Sequence, residues 1–403
     1  MGSVYDWFSC CNDCFNGNCC FINFIVKKLY IIAGEASGDL HASNLMKEIR
    51  REDNDIDFRF WGGDHMSAVA GKPVKHIADL AFMGFIEVVA NLRTILGNIK
   101  FCKKDIEEYK PDALVLVDYP GFNLRIAKWA KAHDIPVIYY ISPQVWAWKQ
   151  NRVHKIKKVV DKMMVILPFE KEFYAKFDME VTYVGHPLLD AIESFKSKAE
   201  KVDLYAKHSL DERPVIALLP GSRKQEINTL LPIMLDSLSA FDDYQFVIAG
   251  APALPDTFYA PFLESSENVK IIYGETYDLL TIATAALVTS GTATLETALF
   301  EVPEVVCYKG SAISYHIAKR LIKVDYISLV NLILKKEAVK ELIQNECNAK
   351  QIEQELKLIL PRAEKHDKMK ADYTELLKVL GEGGASATAA KEVLLQLTDN
   401  IDN

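Results

Sequence analysis

The sequence predicts an α/β protein made of two doubly wound parallel sheets that face a central cleft, followed by C-terminal helices. Short, continuous runs of Val, Ile and Leu alternate with amphipathic helical stretches, which is typical of strands covered on both faces. This pattern occurs twice, because a polar, strand-poor stretch at 192–213 separates two such sets. A chain of 403 residues is long enough for two domains of this kind.

The individual elements are predicted from these runs. The strands of the first set are expected at 28–33, 58–61, 113–118, 136–141, 163–167 and 181–184, and those of the second set at 215–219, 245–249, 269–272, 286–289 and 304–308. The helices predicted between them include 39–52, 123–133, 224–239, 292–300 and 314–323. After Lys335 the chain is expected to be helical to its end, with a break at 381–384. The predicted regions are an extension at 1–26, a first domain at 27–191, a linker at 192–213, a second domain at 214–365 and C-terminal helices at 366–403.

The extension at 1–26 is unusual because it holds five of the eight cysteines. A metal-binding knuckle is one interpretation, but adjacent cysteine pairs do not fit the usual ligand spacing. The stretch also lacks the basic start and clean apolar region of a signal peptide. We expect a poorly structured extension, with Val26 as an alternative start of translation.

Composition excludes several classes of protein. Half of the residues are apolar and a quarter are charged, as in globular proteins. The net charge of -8 argues against a dedicated nucleic-acid binder. No run of about 18 apolar residues is present, so any contact with a membrane is expected to be peripheral.

The loops that follow the strands are the expected sites of function, because ligands of such folds bind at the carboxyl ends of the strands. The first loop is a glycine-rich turn into a helix, where small residues let backbone N–H groups approach a ligand. An ordinary turn with an Asp cap explains the same residues. The candidate residues in this loop are Gly34, Glu35, Ser37, Gly38 and Asp39.

The second loop begins with Asp118 at the end of a buried strand and continues to Asn123. An acid in this position suits a general base, and a capping or salt-bridged Asp is the alternative.

The third loop contains two tryptophans next to a basic stretch. These residues are either core and solvated surface, or a site where aromatic rings and cations meet phosphate or anionic headgroups. The candidate binding residues are Gln144, Trp146 and Arg152, and the basic stretch also includes Lys149, Lys155, Lys157 and Lys158.

The second set of strands has two comparable loops. Each ends a strand with glycine and hydroxyl residues and opens a helix, and the guanidinium of Arg223 suits a diphosphate. Either loop alone is an ordinary turn and cap, whereas the two together favour a nucleotide diphosphate. The candidates here are Gly221, Ser222, Arg223, Glu226, Ser290, Gly291, Thr292, Thr294 and Glu296.

A collinear series of motifs from about residue 27 to 380 resembles the lipid-A-disaccharide synthase family. The motifs are YIIAGEASGDLHASNL, MGFIEV, VDYPGFNLRIAKWAK, YYISPQVWAWKQNRVHKIKK, LPFEKEFY, VGHPLLD, LLPGSRKQEI, TSGTATLETAL and YISLVNLI. The last motif adds Asn331 to the candidate binding residues. Some family members carry a second Asp where this chain has Gly121, and the Cys-rich extension has no counterpart.

The resemblance implies an inverting glycosyltransferase of GT-B architecture. Its members join UDP-2,3-diacylglucosamine to 2,3-diacylglucosamine 1-phosphate through a β-1,6 linkage and release UDP. The resemblance implies that the first domain takes the lipid acceptor and the second the UDP-sugar. Asp118 is then the expected base, with Glu35 and Ser37 as further candidate catalytic residues. No metal and no cofactor are expected, and nucleic acid is not a partner. The protein is expected to be peripheral on the cytoplasmic face of the inner membrane. A homodimer is a possible assembly.

Two further segments have alternative interpretations. Asp55 and Asp57 match the DxD pattern of metal-dependent transferases, but a solvated turn explains them better. The apolar stretch Met83–Leu92 is either a core helix or a flap over acyl chains.

Two other functions remain open from the sequence. One is a related GT-B enzyme acting on UDP-N-acetylglucosamine, either a transferase or a 2-epimerase. The other is a non-catalytic module that binds a nucleotide sugar or lipid.

Overall fold

A computed structural model of the chain describes residues 26–79, 92–198, 203–263, 268–310 and 324–399. Three predictions therefore lie wholly or almost wholly outside the described residues: the extension at 1–26, the helix at 314–323 and the flap at Met83–Leu92. No helix within the described ranges is long and apolar enough to cross a membrane.

The first sheet has seven parallel strands in the order β3-β2-β1-β4-β5-β6-β7. Its strands are β1 (Lys28–Ala33), β2 (Asp57–Gly62), β3 (Lys75–His76), β4 (Ala113–Val117), β5 (Val137–Tyr140), β6 (Lys162–Val165) and β7 (Thr182–Tyr183). The accompanying helices are α1 (Ala36–Glu52), α2 (Asp64–Ala70), α3 (Leu92–Tyr109), α4 (Pro120–Lys131), α5 (Val153–Ile156), α6 (Pro168–Ala175) and α7 (Pro187–Lys198). Alternate residues of β1 enter two different core clusters, as expected for a strand covered on both faces.

The second sheet has six parallel strands in the order β10-β9-β8-β11-β12-β13. Its strands are β8 (Val215–Leu219), β9 (Gln245–Gly250), β10 (Val269–Tyr273), β11 (Ala283–Thr289), β12 (Glu304–Tyr308) and β13 (Lys340–Ile343). The remaining helices are α8 (Leu204–Lys207), α9 (Lys224–Asp236), α10 (Asp256–Leu263), α11 (Thr276–Ile282), α12 (Thr292–Leu299), α13 (Leu329–Leu334), α14 (Ala349–Ile359), α15 (His366–Leu380) and α16 (Ala385–Asp399). Short 3-10 turns span Ile77–Asp79, Gln150–Arg152 and Leu238–Ala240.

The prediction that the chain is helical after Lys335 is wrong at β13. This strand pairs with β12 in parallel, from Val305 opposite Lys340 to Tyr308 opposite Ile343. Two charged residues in four weaken the strand signal in the sequence. An edge strand tolerates them, and among the described residues no strand pairs with the outer side of β13.

The predicted linker begins inside a helix. Residues 192–198 belong to α7, which places Ile192 in the core and Phe195 against the rings of Tyr277 and Phe300 at 5.5 and 6.0 Å between ring centroids. The first residues of the predicted linker are therefore held by packing, as parts of a helix that begins within the predicted first domain. The position of the boundary itself stays a prediction.

The last helix, α16, packs on the first sheet. Its residues Ala389, Ala390, Val393 and Leu397 belong to the core cluster that contains one face of β1. The carboxylate of Asp190 accepts the backbone N–H groups of Gly384, Ala385 and Ser386 at 2.6–3.2 Å, which satisfies donors at the start of the helix. The C-terminal helix therefore contributes to the hydrophobic core of the first sheet.

Candidate active site

The candidate residues of the first domain meet where the strand order reverses. β1 and β4 are neighbours, and the chain continues outward from them in opposite directions across the sheet. A crevice at such a point is where open α/β sheets bind ligands. The loop after β1 supplies Gly34–Asp39 and the loop after β4 supplies Asp118, so the structure brings these two predicted groups together.

The two loops are in close contact through Gly34 and Tyr119. A Cβ atom on Gly34 would lie 2.3 Å from Cδ1 of Tyr119, so no larger residue fits without displacing the ring. The absence of a side chain at Gly34 lets the two loops pack closely, and its predicted approach to a ligand stays a prediction. Gly38 is also buried, with its nearest neighbour Ala33 at 3.5 Å from an added Cβ.

The backbone at Asp118 is held in an unusual conformation. Asp118 and Tyr119 have φ of 44° and 49°, in the left-handed region that non-glycine residues rarely adopt. The Asp118 carbonyl accepts hydrogen bonds from Asn123 Nδ2 at 2.7 Å and from the Tyr139 hydroxyl at 2.6 Å. Strained conformations that are held in this way cluster at active sites. Asn123 is therefore placed to position Asp118.

The Asp118 carboxyl has a pKa raised to about 6. Burial is the main cause, since it disfavours the charged form, and the negative charge of Glu35 raises the pKa further, while a backbone N–H lowers it. A carboxylate that titrates near neutrality is a more effective proton acceptor than an ordinary Asp. Ser37 is exposed in the first turn of α1, beside Glu35 at the start of the helix.

Asp39 has a structural contact that the sequence did not reveal. Its buried carboxylate accepts backbone N–H groups of Gly63, His65 and Met66 at 2.6–3.1 Å. These bonds fix the beginning of α2 against α1. Asp39 therefore has a structural role beside the site, and its carboxylate is not on the exposed surface.

The third loop separates its two tryptophans. Trp146 is 6% exposed and packs edge-to-face on Phe169 at 5.0 Å, while Gln144 is exposed. Trp148 is 40% exposed, with Lys149 Nζ at 4.2 Å and the Arg152 guanidinium at 5.4 Å from its ring centre. Trp148, rather than the predicted Trp146, is the tryptophan that faces the surface. Sequence could not distinguish them because both are aromatic and only two positions apart.

The candidate loops of the second domain also meet at a reversal of strand order. β8 and β11 are neighbours. An added Cβ on Gly221, which has φ of 112°, would lie 2.7 Å from Glu226 Oε2 and 3.4 Å from Thr289 Cγ2. The glycine thus permits both the turn and the close approach of the two loops. Ser222, Gly291 and Thr292 are exposed beside them.

Arg223 is exposed immediately before α9. Its guanidinium Nη1 lies 3.2 Å from Glu226 Oε1, and its side chain is 62% exposed. An exposed ion pair of this kind is weak. The guanidinium is therefore available to an anion that approaches the start of α9.

The side chains of several other predicted residues form hydrogen bonds within the protein. Thr294 donates to the Gly291 carbonyl at 2.9 Å, and Ser290 donates to the Ile327 carbonyl at 3.2 Å. Glu296 accepts the Tyr277 hydroxyl at 2.8 Å, and burial raises the pKa of Glu296.

The side chain of Asn331, another predicted binding residue, is bonded to the protein itself. Its Nδ2 donates to the Val339 carbonyl and to Glu341, and its Oδ1 accepts the N–H groups of Ala338 and Val339, all at 2.8–2.9 Å. An amide side chain has two donor hydrogens and two acceptor sites, so its capacity is filled. The structure gives Asn331 a role in holding the chain before β13.

Asp55 lies in the turn that precedes β2, Asp57 is the first residue of that strand, and both are exposed. Asp55 N–H donates to Asp53 at 3.1 Å, as in a solvated turn. Within the described ranges, no group of three or more His, Cys, Asp or Glu side chains is arranged to hold a metal ion.

Comparisons with known proteins agree on the fold. The chain resembles a UDP-GlcNAc 2-epimerase from Neisseria meningitidis solved with UDP-GlcNAc, with a TM-score of 0.66 and 15% identity over 91% of this chain and 99% of the other. It also resembles a calicheamicin glycosyltransferase, with a TM-score of 0.59 and 15% identity over 93% and 99% of the two chains. The fold is therefore GT-B, as predicted.

Sequence relatives are much closer. The family model for lipid-A-disaccharide synthetase matches residues 29–396. Lipid-A-disaccharide synthase from Geobacter metallireducens is 41% identical over 92% of this chain and 97% of its own length. The enzyme from Syntrophus aciditrophicus is 40% identical over 90% and 96% of the two chains. The chain belongs to the lipid-A-disaccharide synthase family.

Proposed function

We propose that the protein transfers 2,3-diacylglucosamine from UDP to the 6-hydroxyl of 2,3-diacylglucosamine 1-phosphate, with inversion and without a metal ion. The products are the β-1,6-linked disaccharide 1-phosphate and UDP. Family membership supports a glycosyltransferase of lipid A biosynthesis. The observation that carries the mechanism is Asp118, a largely buried carboxyl with a raised pKa at the reversal of strand order in the first sheet.

In the proposed reaction, Asp118 accepts the proton of the acceptor 6-hydroxyl as its oxygen attacks C1 of the donor. The bond from C1 to the diphosphate breaks on the opposite face, so the configuration at C1 inverts. Glu35 increases the affinity of Asp118 for this proton, because a negative charge close to a carboxylate stabilises its protonated form. Asn123 and Tyr139 keep the backbone that carries Asp118 in place.

The departing UDP carries negative charge that must be stabilised. We assign this role to Arg223 and to the backbone N–H groups at the starts of α9 and α12, which no N-cap side chain accepts. Helix N-termini favour phosphate because their N–H groups have no partner within the helix. Ser222, Gly291 and Thr292 line this region of the second domain.

Mass spectrometry of the products tests the proposal directly. Incubation with UDP-2,3-diacylglucosamine and the acylated 1-phosphate should yield one disaccharide 1-phosphate and one UDP per turnover. A parallel reaction with UDP-N-acetylglucosamine alone tests the 2-epimerase alternative. The epimerases share only the fold at 15% identity, whereas the synthases reach 41%. Epimerised nucleotide sugar without a disaccharide would overturn the proposal.

We expect replacement of Glu35 by Gln to shift the acid limb of the pH profile to lower pH. Asp118 accepts a proton only when ionised, so activity should fall as the pH drops below about 6. Without the charge of Glu35 the pKa of Asp118 is lower, although burial, the larger cause, still keeps it above the ordinary value. Rates of kcat/KM between pH 4.5 and 8 measure this shift. Glu48→Gln removes a charge near the other end of α1 and should leave the limb unchanged.

We also propose that the protein meets the cytoplasmic face of the inner membrane through the third loop and α5. Arg152, Lys155 and Lys158 are exposed in and just after this segment, and the Arg152 guanidinium lies 5.4 Å from the ring centre of the exposed Trp148. Lys157 is different, because its Nζ donates to the backbone carbonyls of Phe177 and Asp178 and so supports the structure. A test of membrane contact should therefore leave Lys157 intact.

Replacement of both Lys155 and Lys158 by Glu should weaken sedimentation with phosphatidylglycerol vesicles by about 30-fold or more, since each basic residue near anionic headgroups contributes about 1 kcal/mol. The KM for vesicle-embedded acceptor should rise, and the difference should shrink at high salt. The control is Lys368→Glu with Lys370→Glu, which makes the same charge change on exposed positions of α15. Equal losses with vesicles and with detergent-dispersed acceptor would contradict the membrane contact.

A further inference from the structure

The loop that carries Asp118 contains an aromatic side chain to which neither the sequence analysis nor the proposed reaction gives a role. Tyr119 directly follows Asp118, is half-buried and is the N-cap residue of α4. Its backbone carbonyl accepts the N–H groups of Phe122 at 3.2 Å and Asn123 at 3.0 Å, which starts the helix. The backbone of Tyr119 is therefore tied to α4, whereas its side chain contacts another loop.

The ring of Tyr119 lies against the backbone of Gly34, in the loop after β1. A Cβ atom on Gly34 would lie within 2.6 Å of three ring atoms, Cγ, Cδ1 and Cε1. The ring thus occupies the space that a side chain at this position would need. The φ of Gly34 is outside the left-handed region, so it is the ring, and not the backbone conformation, that excludes a side chain here.

Buried aromatic residues support the ring of Tyr119. It stacks on Phe122 at 5.6 Å between ring centroids with 27° between the planes, and Phe122 packs on Trp61 of β2 at 5.3 Å. The indole N–H of the fully buried Trp61 donates to the hydroxyl of Tyr30 at 2.8 Å. Tyr30 belongs to β1, the strand that leads into Gly34. The position of the Tyr119 ring is therefore set by the core of the first sheet.

The ring contact begins where the pairing of β1 with β4 ends. The last pair of this ladder is Ala33 opposite Val117. Gly34 is the next residue after β1, and Tyr119 is the second residue after β4. Side-chain packing must therefore set the separation of the two loops beyond the ladder.

Gly34 and Tyr119 each adjoin an acidic residue of the candidate site. Gly34 immediately precedes Glu35, and Tyr119 immediately follows Asp118. Neighbouring Cα atoms are fixed about 3.8 Å apart by a trans peptide bond, so a shift of Gly34 or Tyr119 is passed on to its acidic neighbour. The contact between the ring and Gly34 thus affects how far apart the two acids lie.

We propose that Tyr119 is a positioning residue whose ring, packed against Gly34 and Phe122, sets the separation of Glu35 and Asp118 for proton transfer from the acceptor. This inference rests on the proposed function, because it assigns the proton transfer to Asp118. The ring acts through the two loops and does not touch the reacting atoms, so the hydroxyl of Tyr119 is dispensable.

Tyr119→Ala should lower kcat at pH 8 by about 10- to 100-fold, because a misplacement of about 1 Å at a reacting group costs up to about 100-fold. Tyr119→Phe keeps the ring and loses only the hydroxyl, so its kcat should stay within about twofold of the wild-type value. UDP affinity should be unchanged in both, since the diphosphate is assigned to the second domain. Equal losses of kcat in the two variants would overturn the inference, because the hydroxyl would then be responsible.

The pH profile distinguishes positioning from a general loss of stability. Removal of the ring should expose Asp118 and let Glu35 move away, and both changes lower the pKa of Asp118 toward its ordinary value. The acid limb of kcat/KM should therefore move to lower pH in Tyr119→Ala and stay in place in Tyr119→Phe. In the described part of the chain, the other titratable group that faces Asp118 is Tyr139, whose pKa lies well above its ordinary value, so it stays neutral in this range.

The matched control is Tyr244→Ala in the second domain. It also removes a half-buried ring that packs on a phenylalanine, Phe241, at 6.3 Å between ring centroids. This variant should have a lower Tm than the wild type, with kcat and the acid limb unchanged.

Gly34→Ala tests the contact itself. Its added Cβ meets the ring in the wild-type background, so the variant should lose both unfolding free energy and kcat. In the Tyr119→Ala background the ring is absent, so the same change should have little further effect on either quantity. Urea unfolding of the four proteins without substrate measures this coupling independently of the reaction.

Additive effects of Gly34→Ala and Tyr119→Ala, or a wild-type kcat in Tyr119→Ala, would overturn the inference. If Tyr119→Ala does not fold, Tyr119→Leu replaces it in both experiments, since Leu keeps apolar surface but has no flat ring. A wild-type protein that shows the coupling in unfolding but makes no disaccharide would count against the proposed function, while the coupling would still support the contact between the loops.

Discussion

Asp118→Asn should lower kcat by 100-fold or more while the protein stays folded and binds UDP normally. An amide of the same shape cannot take the proton from the acceptor hydroxyl, and loss of a general base has about this effect at least. Asn also tolerates the left-handed backbone at φ of 44°, so the loop should keep its conformation. Separate measurements of the rate of product formation and of UDP affinity distinguish a loss of catalysis from a loss of binding.

The same substitution should stabilise the protein. The folded pKa of Asp118 is about 6 against an ordinary value of 3.8, so the folded state binds more protons between these values and loses stability as the pH rises through them. At pH 8 the Asn variant lacks this buried charge and should have a higher Tm than the wild type. Asp134→Asn is the control, since Asp134 is exposed and also left-handed at φ of 55°. Full turnover in Asp118→Asn would remove this residue from the mechanism.

Arg223→Ala should weaken UDP binding by roughly 10- to 150-fold, since a hydrogen bond between charged groups contributes about 1.5–3 kcal/mol. Arg223→Lys keeps the charge but loses the bidentate guanidinium, so its affinity for UDP should lie between those of the wild type and Arg223→Ala. Titration calorimetry with UDP measures each value.

The control for Arg223 is Lys224→Ala, which removes the adjacent exposed cation at the first position of α9. It should change UDP affinity by far less. If Arg223→Ala binds UDP as tightly as the wild type, the guanidinium remains with Glu226 and the diphosphate is held elsewhere.

The paired sheets were predictable because each central strand is a continuous apolar run that signals burial on both faces. β1 and β8 coincide with their predicted bounds at Lys28–Ala33 and Val215–Leu219. β13 was missed because it is short and half charged, and only its pairing with β12 makes it a strand. The local sequence shows which segments are buried, but it does not show that a short polar segment pairs with the outer strand of a sheet.

The candidate site was predictable as a set of loops but not side chain by side chain. Asp118 stands out because an acid directly follows a buried strand. Asp39 and Asn331 have the same kind of sequence signal, yet their polar atoms bond to backbone groups 24 or more and 7 or more residues away, respectively. Trp146 and Trp148 differ only in which side of the loop they occupy. These distinctions depend on tertiary contacts, which a single sequence does not display.

The packing of α16 on the first sheet has a consequence for synthesis of the chain. β7 ends at Tyr183 and α16 begins at Ala385, so roughly 200 residues are translated between them. At the usual rate of about 5–20 residues per second, this takes on the order of 10–40 s. A first sheet that forms during this interval lacks the residues of α16 that cover part of one face. We therefore expect the newly made first domain to expose apolar surface until the last helix emerges, which is the kind of surface that chaperones shield.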